Sequence, residues 1–249
     1  MKLVECVPNF SEGRDKTVIN AITGAMSAVN EVELMDVDPG EATNRTVVTI
    51  VGSPDQVVEA AFLGIKKAYE LIDMSVHSGE HPRFGACDVC PFVPVEGITM
   101  EDCAELAGRL GERVGRELNL PVYLYENAAK ISWRKNLAQV RKGEYEALEQ
   151  NLQEPERKPD YGPCEFNSKF GAVAIGAREF LIAYNVTLNT SDKRLATDIA
   201  FDLREKGRTV RTGNTEPVYL NGDIIKYKSH ALPCGECDFV AKGYQELHQ

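Results

Sequence analysis

The sequence predicts an α+β fold of two α/β plait subdomains (split βαβ, ferredoxin-like) with mixed sheets, the second of them incomplete. Strand and helix patterns in the first part of the chain follow the order β-α-β-β-α-β, which closes as a split βαβ unit. Residues 153–171 interrupt the pattern with three prolines and two glycines and show neither a helical nor a strand period. The order β-α-β-β after them begins a second unit. The predicted domains are therefore residues 1–171 and residues 172–249.

Apolar spacing and turn residues predict the elements of the first domain. Two β-rich runs flank Asp38-Pro39-Gly40, which predicts a turn between antiparallel strands. Ser53-Pro54 predicts the start of a helix, and Thr99 with Asp102 predicts a capping box at the start of another. The predicted elements are strands at 3–7, 32–37, 43–51, 89–95 and 122–125, and helices at 15–29, 55–72 and 99–118.

The later elements follow from the same kinds of pattern. Gly176-Ala177-Arg178 interrupts an otherwise apolar strand, and Asn221-Gly222-Asp223 predicts the turn of a short hairpin. The predictions are a charged, amphipathic helical region at 134–152, a strand at 172–188, a helix at 191–206, and a hairpin of strands 218–220 and 224–227. No closing strand of the second unit is evident in the sequence.

Composition limits the classes of function. The chain has 249 residues, of which 43% are hydrophobic, and a formal net charge of −10. This apolar content is enough for real globular cores. An acidic surface repels nucleic-acid phosphates and anionic lipid, so we expect neither a nucleic-acid nor a membrane partner. The sequence shows no apolar run of membrane-span length and no signal-peptide core, which predicts a cytoplasmic protein.

The seven cysteines form an odd, scattered set, which predicts free thiols in a reducing compartment. Two Cys-x-x-Cys pairs, Cys87/Cys90 and Cys234/Cys237, could together ligate zinc as four thiolates. They lie too far apart for a compact zinc ribbon, and Cys90 opens an apolar strand, so we predict no metal site. A zinc-stabilised interaction domain stays an alternative that a zinc assay would test.

Residues 79–85 are the segment most like a binding loop. Its glycines and proline favour turns, while Glu80, His81 and Arg83 bring an acid, a base and a cation close together. The loop precedes the predicted strand at 89–95 and so lies at the rim of a sheet, where catalytic groups are commonly placed. Spacing alone leaves two interpretations open, a catalytic histidine and a solvated or structural one.

Asp38 is the candidate partner of His81. It flanks the predicted turn after the second strand, at the same kind of sheet end as the His81 loop. An aspartate beside an imidazole would fix its tautomer and raise its basicity. The alternative is that Asp38 only shapes a turn.

Several stretches, spread over the chain to about Arg208, carry a family resemblance. They are LVECVPNFSEG at 3–13, DVD at 36–38 with TNRT at 43–46, GEHPR at 79–83 through DVCPF at 88–92, and GAREFL at 176–181. Together they resemble glutamate formiminotransferases. The resemblance implies a two-subdomain transferase region that forms homodimers. It also implies transfer of the formimino group of N-formimino-L-glutamate to N5 of tetrahydrofolate in histidine degradation, with tetrahydrofolate as co-substrate.

The resemblance also assigns residues. The family's catalytic histidine falls on His81, and its folate-binding stretch falls on residues 162–171. That stretch is Gly162, Pro163, Cys164, Glu165, Phe166, Asn167, Ser168, Lys169, Phe170 and Gly171. Its composition favours a linker, whereas its aromatic residues favour an ordered loop that touches ligand. The chain ends early relative to the family, so a truncated, non-catalytic folate-binding module is the alternative function.

The implied chemistry suits one neutral imidazole, which can take the proton that N5 loses and return it to the departing glutamate nitrogen. It requires neither a metal nor a redox cofactor. Both substrates carry glutamate carboxylates, so an otherwise acidic chain needs arginines placed to bind them. The candidates are Arg45, Arg83 and Arg178, with Lys169 for the folate tail.

Overall fold

The computed structural model describes residues 2–181, 192–203, 208–210 and 218–220. Contacts divide the chain into two units, Met1–Glu179 and Phe180–Gln249. The strands of the first unit are β1 (Leu3–Cys6), β2 (Asn9–Phe10), β3 (Val32–Gly40), β4 (Arg45–Gly52), β5 (Cys87–Glu96), β6 (Val122–Glu126) and β7 (Val173–Ala177). Its helices are α1 (Lys16–Ser27), α2 (Pro54–Leu71), α3 (Met100–Glu117) and the one-turn helices α4 (Leu137–Val140) and α5 (Leu148–Asn151).

The sheet of the first unit is mixed. β1 and β2 lie end to end between β4 and β5 and pair antiparallel with both. β3 pairs antiparallel with the other side of β4. Beyond β5 the sheet continues with β7 and then β6, both parallel to their neighbours. The order β3-β4-β1-β5 is that of a split βαβ unit, so the predicted α+β fold with a mixed sheet is confirmed.

One face of this sheet packs against α1, α2 and α3 to form the main core. In β4 every second residue from Thr46 to Gly52 is buried, as expected for a strand with one face toward a core. Gly64 of α2 allows close approach to α1, because a Cβ there would lie 2.8 Å from the sulfur of Met26. Each large apolar side chain buried in this core contributes about 1.5–3 kcal/mol.

A second apolar cluster lies on the opposite face of β6 and β7. Its buried members include Phe84, Tyr123, Tyr125, Val140 and Leu148. The segment that covers it consists of the helical turns Ser132–Lys135, α4, Tyr145–Ala147 and α5. The sequence predicts a helical region at 134–152, but the structure breaks it at Gly143 and Glu144, which have φ of +82° and +59°. Positive φ is incompatible with a right-handed helix.

The predicted turn at Asp38-Pro39-Gly40 was wrong. β3 continues to Gly40, which pairs with Arg45, and the chain reverses at residues 41–44. β3 pairs only with β4 in the described part of the chain, so it is an edge strand, and an edge strand tolerates a proline that lacks an N–H. Asn44 closes the actual turn with φ +48°, a conformation that asparagine adopts more readily than most residues.

β7 belongs to the sheet of the first unit, because it pairs with both β5 and β6. The structure accordingly divides the chain after Glu179, beyond the boundary predicted after Gly171. An apolar run shows that a strand is buried but not which sheet it joins.

The described part of the second unit comprises α6 (Lys193–Leu203) and an antiparallel pair, β8 (Arg208–Val210) and β9 (Val218–Leu220). It confirms the helix predicted within 191–206 and the strand at 218–220. The second hairpin strand predicted at 224–227, its turn Asn221-Gly222-Asp223, and residues 182–188 of the predicted apolar strand lie outside the described residues. In the described ranges of both units, no helix is both long and apolar enough to cross a membrane.

Candidate active site

The loop that carries His81 joins α2 to β5, and its C-terminal end is bridged to residues 170–172. The amide of Ala86 donates to the carbonyl of Phe170 at 2.8 Å, and the amide of Ala172 donates to the carbonyl of Phe84 at 3.1 Å. The side chain of Phe84 is buried in the second cluster. The bridge therefore holds the His81 loop and the end of the 162–171 stretch against each other.

Asn44, in the turn between β3 and β4, fixes the other side of the loop. Its Oδ1 accepts from the amide of Gly13 at 3.0 Å, and its Nδ2 donates to the carbonyl of Ser78 at 2.9 Å. Its backbone carbonyl accepts from Nε2 of His77 at 2.9 Å. Burial lowers the pKa of His77, which keeps this ring neutral. One buried asparagine thus ties the His81 loop to the end of the sheet.

The imidazole of His81 has a defined tautomer. Its Nδ1 lies 2.6 Å from the carbonyl oxygen of Pro82, and a carbonyl oxygen can only accept, so Nδ1 carries the proton. Nε2 then holds the free lone pair. Burial, followed by the charge of Arg45, lowers the pKa of His81 to about 3. The ring is neutral at physiological pH, and Nε2 can accept a proton.

Asp88 is a fully buried carboxylate near the start of β5. Its Oδ2 accepts from Nη1 of Arg45 and from Nη1 of Arg141, the latter at 2.7 Å. Its Oδ1 is buried without a partner among the described residues. Burial raises the pKa of Asp88, but the charges of Arg141 and Arg45 outweigh burial and hold that pKa at about 2. Two arginines around one carboxylate leave one positive charge in excess.

Arg45 is held by sheet pairing. Its Nε and Nη2 donate to Oδ1 of Asn9 at 3.2 and 2.9 Å, and Nδ2 of Asn9 donates to the carbonyl of Val7 at 2.8 Å. Asn9 lies on β2, which pairs with both β4 and β5. This pairing brings Asn9, Arg45 and Asp88 together beside the His81 loop. The side chain of Arg45 is only 10% exposed.

Asn9, Asp88 and Arg141 were not predicted from the sequence as site residues. Asp88 carried a usable signal, because an ionised residue inside a buried apolar strand needs cationic partners. Arg141 follows it by 53 positions, and no local pattern links the two.

Residues 162–171 form an anchored stretch of irregular structure. Phe170 is fully buried and meets Tyr69 edge-on, with ring centroids 5.8 Å apart. Phe166 is half-buried, and its ring lies 5.4 Å from that of Tyr145. Nζ of Lys169 donates to the carbonyl of Glu70 at 3.0 Å. A free linker would not make these contacts. Of the two phenylalanines, Phe170 is part of the core and Phe166 is partly accessible to solvent.

Comparison with known proteins identifies the family. Residues 3–178 match the family model described as the formiminotransferase domain, N-terminal subdomain. The chain belongs to the formiminotransferase family. The resemblance stated from its sequence motifs is thereby confirmed.

Three relatives of the chain carry one of two related names. The chain is 53% identical over 216 residues to a formimidoyltransferase-cyclodeaminase of Dictyostelium discoideum, and 55% identical over 207 residues to one of Gallus gallus. These matches cover 87% and 83% of this chain, but 39% and 38% of the relatives. It is 51% identical over 208 residues to a glutamate formimidoyltransferase of Thermoplasma acidophilum, which covers 83% of this chain and 68% of that protein. This formiminotransferase chain thus spans about two fifths of the length of the first two relatives.

The structure brings Arg45 to His81, with Nη1 of Arg45 3.4 Å from Nδ1 of the histidine. Asp38 is exposed on β3. In the described part of this formiminotransferase chain no hydrogen bond joins Asp38 to His81, whose ring contacts Pro82 and Arg45.

The other two predicted arginines make different contacts. Arg83 donates to the carboxylate of Glu146 from Nε at 3.0 Å and from Nη2 at 2.5 Å. Its Nη1 donates to the carbonyls of Met74 and His77, so it clamps the loop that carries His81. Arg178 donates from Nη1 to the carbonyl of Glu179 at 2.9 Å.

The first cysteine pair lies in the main core. Cys87 and Cys90 are fully buried, and Sγ of Cys90 lies 3.5 Å from Sγ of Cys6. Burial raises the pKa of Cys87, and the contact with Cys6 raises that of Cys90, so both stay protonated at neutral pH, whereas zinc binds thiolates. Within the described ranges no group of three or more His, Cys, Asp or Glu residues is arranged to hold a metal. Cys234 and Cys237 lie outside those ranges.

Proposed function

We propose that this chain is a glutamate formimidoyltransferase that transfers the formimino group of N-formimino-L-glutamate to N5 of tetrahydrofolate, its co-substrate. The observation that carries the proposal is the neutral imidazole of His81, whose Nδ1–H donates to the Pro82 carbonyl and whose Nε2 has no hydrogen-bond partner among the described residues. Membership of the formiminotransferase family and the names of the relatives support it.

His81 can serve both proton transfers of this reaction. Tetrahydrofolate supplies the nucleophilic N5 amine. Nε2 of His81 takes the proton that N5 loses when the bond between N5 and the formimino carbon forms. It returns this proton to the glutamate nitrogen when the bond between that nitrogen and the formimino carbon breaks. The imidazole ends neutral, and general acid–base catalysis of this kind contributes about 10²–10⁴-fold in rate.

Arg45 has the role of keeping His81 neutral in this proposal. Its fixed charge beside Nδ1 opposes protonation of the ring before the substrates arrive. Asp38 is predicted from the sequence as the orienting partner of His81, but its carboxylate is exposed at the sheet end, so in this proposal it is a candidate for substrate contact instead. Arg178 is a weaker candidate for a substrate carboxylate, and Arg83 acts through the loop that it clamps.

Residues 162–171 are the folate-contacting stretch in this proposal. The backbone bridge from Phe170 to Ala86 supports this role, since it couples the stretch to the His81 loop. Phe166 offers a partly accessible ring beside Tyr145, and such rings stack on aromatic groups such as the pterin or aminobenzoate. Lys169 is exposed and keeps N–H donors for the folate tail beyond the one that binds Glu70.

The proposal includes a cytoplasmic homodimer that uses no metal and binds neither nucleic acid nor membrane. The described cysteines are free thiols, as is usual in a reducing compartment, and the net charge of −10 opposes binding to polyanions. Light scattering tests the dimer, and metal analysis of the purified protein tests for zinc.

The test of the proposed function is a reaction of the purified chain with N-formimino-L-glutamate and tetrahydrofolate. We expect L-glutamate and 5-formiminotetrahydrofolate in equal amounts by mass spectrometry, and no product when either substrate is omitted. The rival hypothesis, a non-catalytic folate-binding module, predicts that calorimetry detects tetrahydrofolate binding without transfer. Binding without transfer would therefore refute the proposed function.

A further inference from the structure

Arg141 contacts the buried carboxylate of Asp88 with only part of its guanidinium group. It follows α4, its side chain is 17% exposed, and its Nη1 donates to Oδ2 of Asp88 at 2.7 Å. Its other guanidinium N–H groups have no partner among the described residues. Arg45 differs, because Nε, Nη1 and Nη2 all donate to Asn9 or Asp88. Arg141 is therefore the cation of this cluster that can bind a ligand directly.

The remaining N–H donors of Arg141 fit an anion that presents two coplanar oxygen atoms. Asp88 occupies Nη1 of Arg141, which leaves the edge formed by Nε–H and Nη2–H. Two parallel donors on one edge match the two oxygens of a carboxylate. The unpaired positive charge of the Arg45–Asp88–Arg141 cluster adds attraction in a chain that is acidic overall.

We infer that Arg141, positioned by Asp88, binds the α-carboxylate of the formimino donor beside His81. The inference rests on the proposed function. In N-formimino-L-glutamate only the nitrogen and Cα separate the reacting formimino carbon from the α-carboxylate. In tetrahydrofolate the aminobenzoyl group separates N5 from the glutamate tail. Arg141 is linked to His81 through Asp88 and Arg45, so it suits the α-carboxylate of the formimino donor, which lies close to the reacting carbon.

Binding at Arg141 also acts on the catalytic histidine. Three charged groups surround His81, namely Arg45 of β4, Asp88 of β5 and Arg141 after α4, and the Pro82 carbonyl accepts from its Nδ1. A bound carboxylate offsets their excess positive charge, so the pKa of His81 rises when the donor is present. The free chain keeps the ring neutral, and the donor itself makes Nε2 a stronger base.

Kinetics of matched variants of the full chain test the inference. Arg141→Gln removes the receptor, Arg141→Lys keeps the charge next to Asp88 but loses the paired donors, and Arg109→Gln is the control, since Arg109 pairs with Asp55 on the surface. Each is assayed with N-formimino-L-glutamate and with its α-amide.

We expect the parent chain and Arg109→Gln to prefer the acid by at least about tenfold in kcat/KM. Arg141→Gln should lose this preference, with KM for tetrahydrofolate within about twofold of the parent value. Arg141→Lys should keep only part of the preference for the acid. This variant retains a positive charge beside Asp88, so it tests the inference even if Arg141→Gln does not fold. An unchanged preference in the Arg141 variants overturns the inference, and so does an equal rise in both KM values.

Binding of L-glutamate provides a readout that needs no turnover. Calorimetry should detect binding to the parent chain and to Arg109→Gln but not to Arg141→Gln, and NMR should show that glutamate raises the pKa of His81 only where it binds. If the parent chain transfers no formimino group, the proposed function fails, while Arg141-dependent glutamate binding still supports the carboxylate site. Binding that is absent from the parent chain, or equal in all variants, overturns it.

Discussion

Arg45 and His81 lie in contact, with Nη1 of the arginine 3.4 Å from Nδ1 of the histidine. Because Nδ1–H already donates to the Pro82 carbonyl, the arginine is a neighbouring positive charge and not a hydrogen-bond donor to the ring. Arg45 cannot move away easily, since Asn9 and Asp88 hold its guanidinium. A fixed cation beside a half-buried imidazole favours the neutral form of the ring over the imidazolium.

The pH dependence of the free protein follows from the burial of His81 and, after it, from this contact. The pKa of His81 is about 3, so kcat/KM, which reports the free enzyme, should not fall near pH 6.5, where an unperturbed histidine titrates. The unfolded ring binds a proton near pH 6.5 and the folded ring only near pH 3, so His81 lowers stability as pH falls between these values. NMR titration of labelled histidine checks the value, and Arg45→Gln should raise it. A parent ring that titrates near pH 6.5 would contradict the prediction.

His81→Ala should lower kcat by at least about a hundredfold, because the variant lacks the group that takes and returns the proton. Its dissociation constant for tetrahydrofolate should stay within about twofold of the parent value, as measured by calorimetry. The control is an unchanged thermal midpoint, which shows that the loop is intact. Turnover that survives in a folded His81→Ala variant removes His81 from the mechanism.

Asp88→Asn should destabilise the fold strongly. Asp88 is fully buried between two arginines, and removing one partner of a buried ion pair typically costs about 3–5 kcal/mol. The control, Asp55→Asn, breaks an exposed pair with Arg109, for which about 0–1 kcal/mol is expected. Urea denaturation measures both, and equal losses would contradict the assignment.

The same carboxyl makes stability depend on pH. The folded pKa of Asp88 is about 2, below the ordinary value of about 3.9. Its stabilisation is therefore complete above about pH 4 and is lost as pH falls toward 2. Below about pH 4, the free energy of unfolding should therefore fall less steeply with decreasing pH in Asp88→Asn than in the parent chain.

Local sequence patterns predicted those parts of the fold that short-range contacts determine. The capping box is one, because Thr99 and Asp102 bond each other's backbone amides at 3.1 and 2.9 Å. Pro39 shows the limit, since a proline breaks a central strand but not an edge strand, and edge position is a property of the whole sheet.

Only part of the candidate site could be predicted from the sequence. His81 stood out because its loop concentrates charge among turn residues, and Arg45 because substrate carboxylates require cations. The Asp88–Arg141 contact spans 53 positions and depends on how a helical turn packs over the sheet. No periodicity encodes such a contact.

Asn44 should be needed for full activity, although it is not proposed to contact substrate or to transfer a proton. Asn44→Gly tolerates the positive φ of the turn but loses the hydrogen bonds to Gly13 and Ser78, each worth about 0.5–1.5 kcal/mol. Asn44→Ala adds backbone strain to the same loss. We expect both variants to lower kcat and to speed amide exchange in the His81 loop, with the larger drop in thermal midpoint for alanine. Equal midpoints would show that φ at this turn carries no strain.

Tetrahydrofolate should protect residues 162–171 from hydrogen exchange. The end of the stretch is already bridged to the His81 loop, so the amides that gain protection should be those between Pro163 and Lys169, where several side chains are exposed and a folate ring can lie over Phe166. Ordering of exposed backbone by a ligand slows its local opening. The turn at residues 97–99, between β5 and α3, is the internal control and should exchange at the same rate with and without ligand. Protection of the control turn to the same extent would indicate a general stabilisation of the fold, and no protection at 163–169 would place the folate site elsewhere.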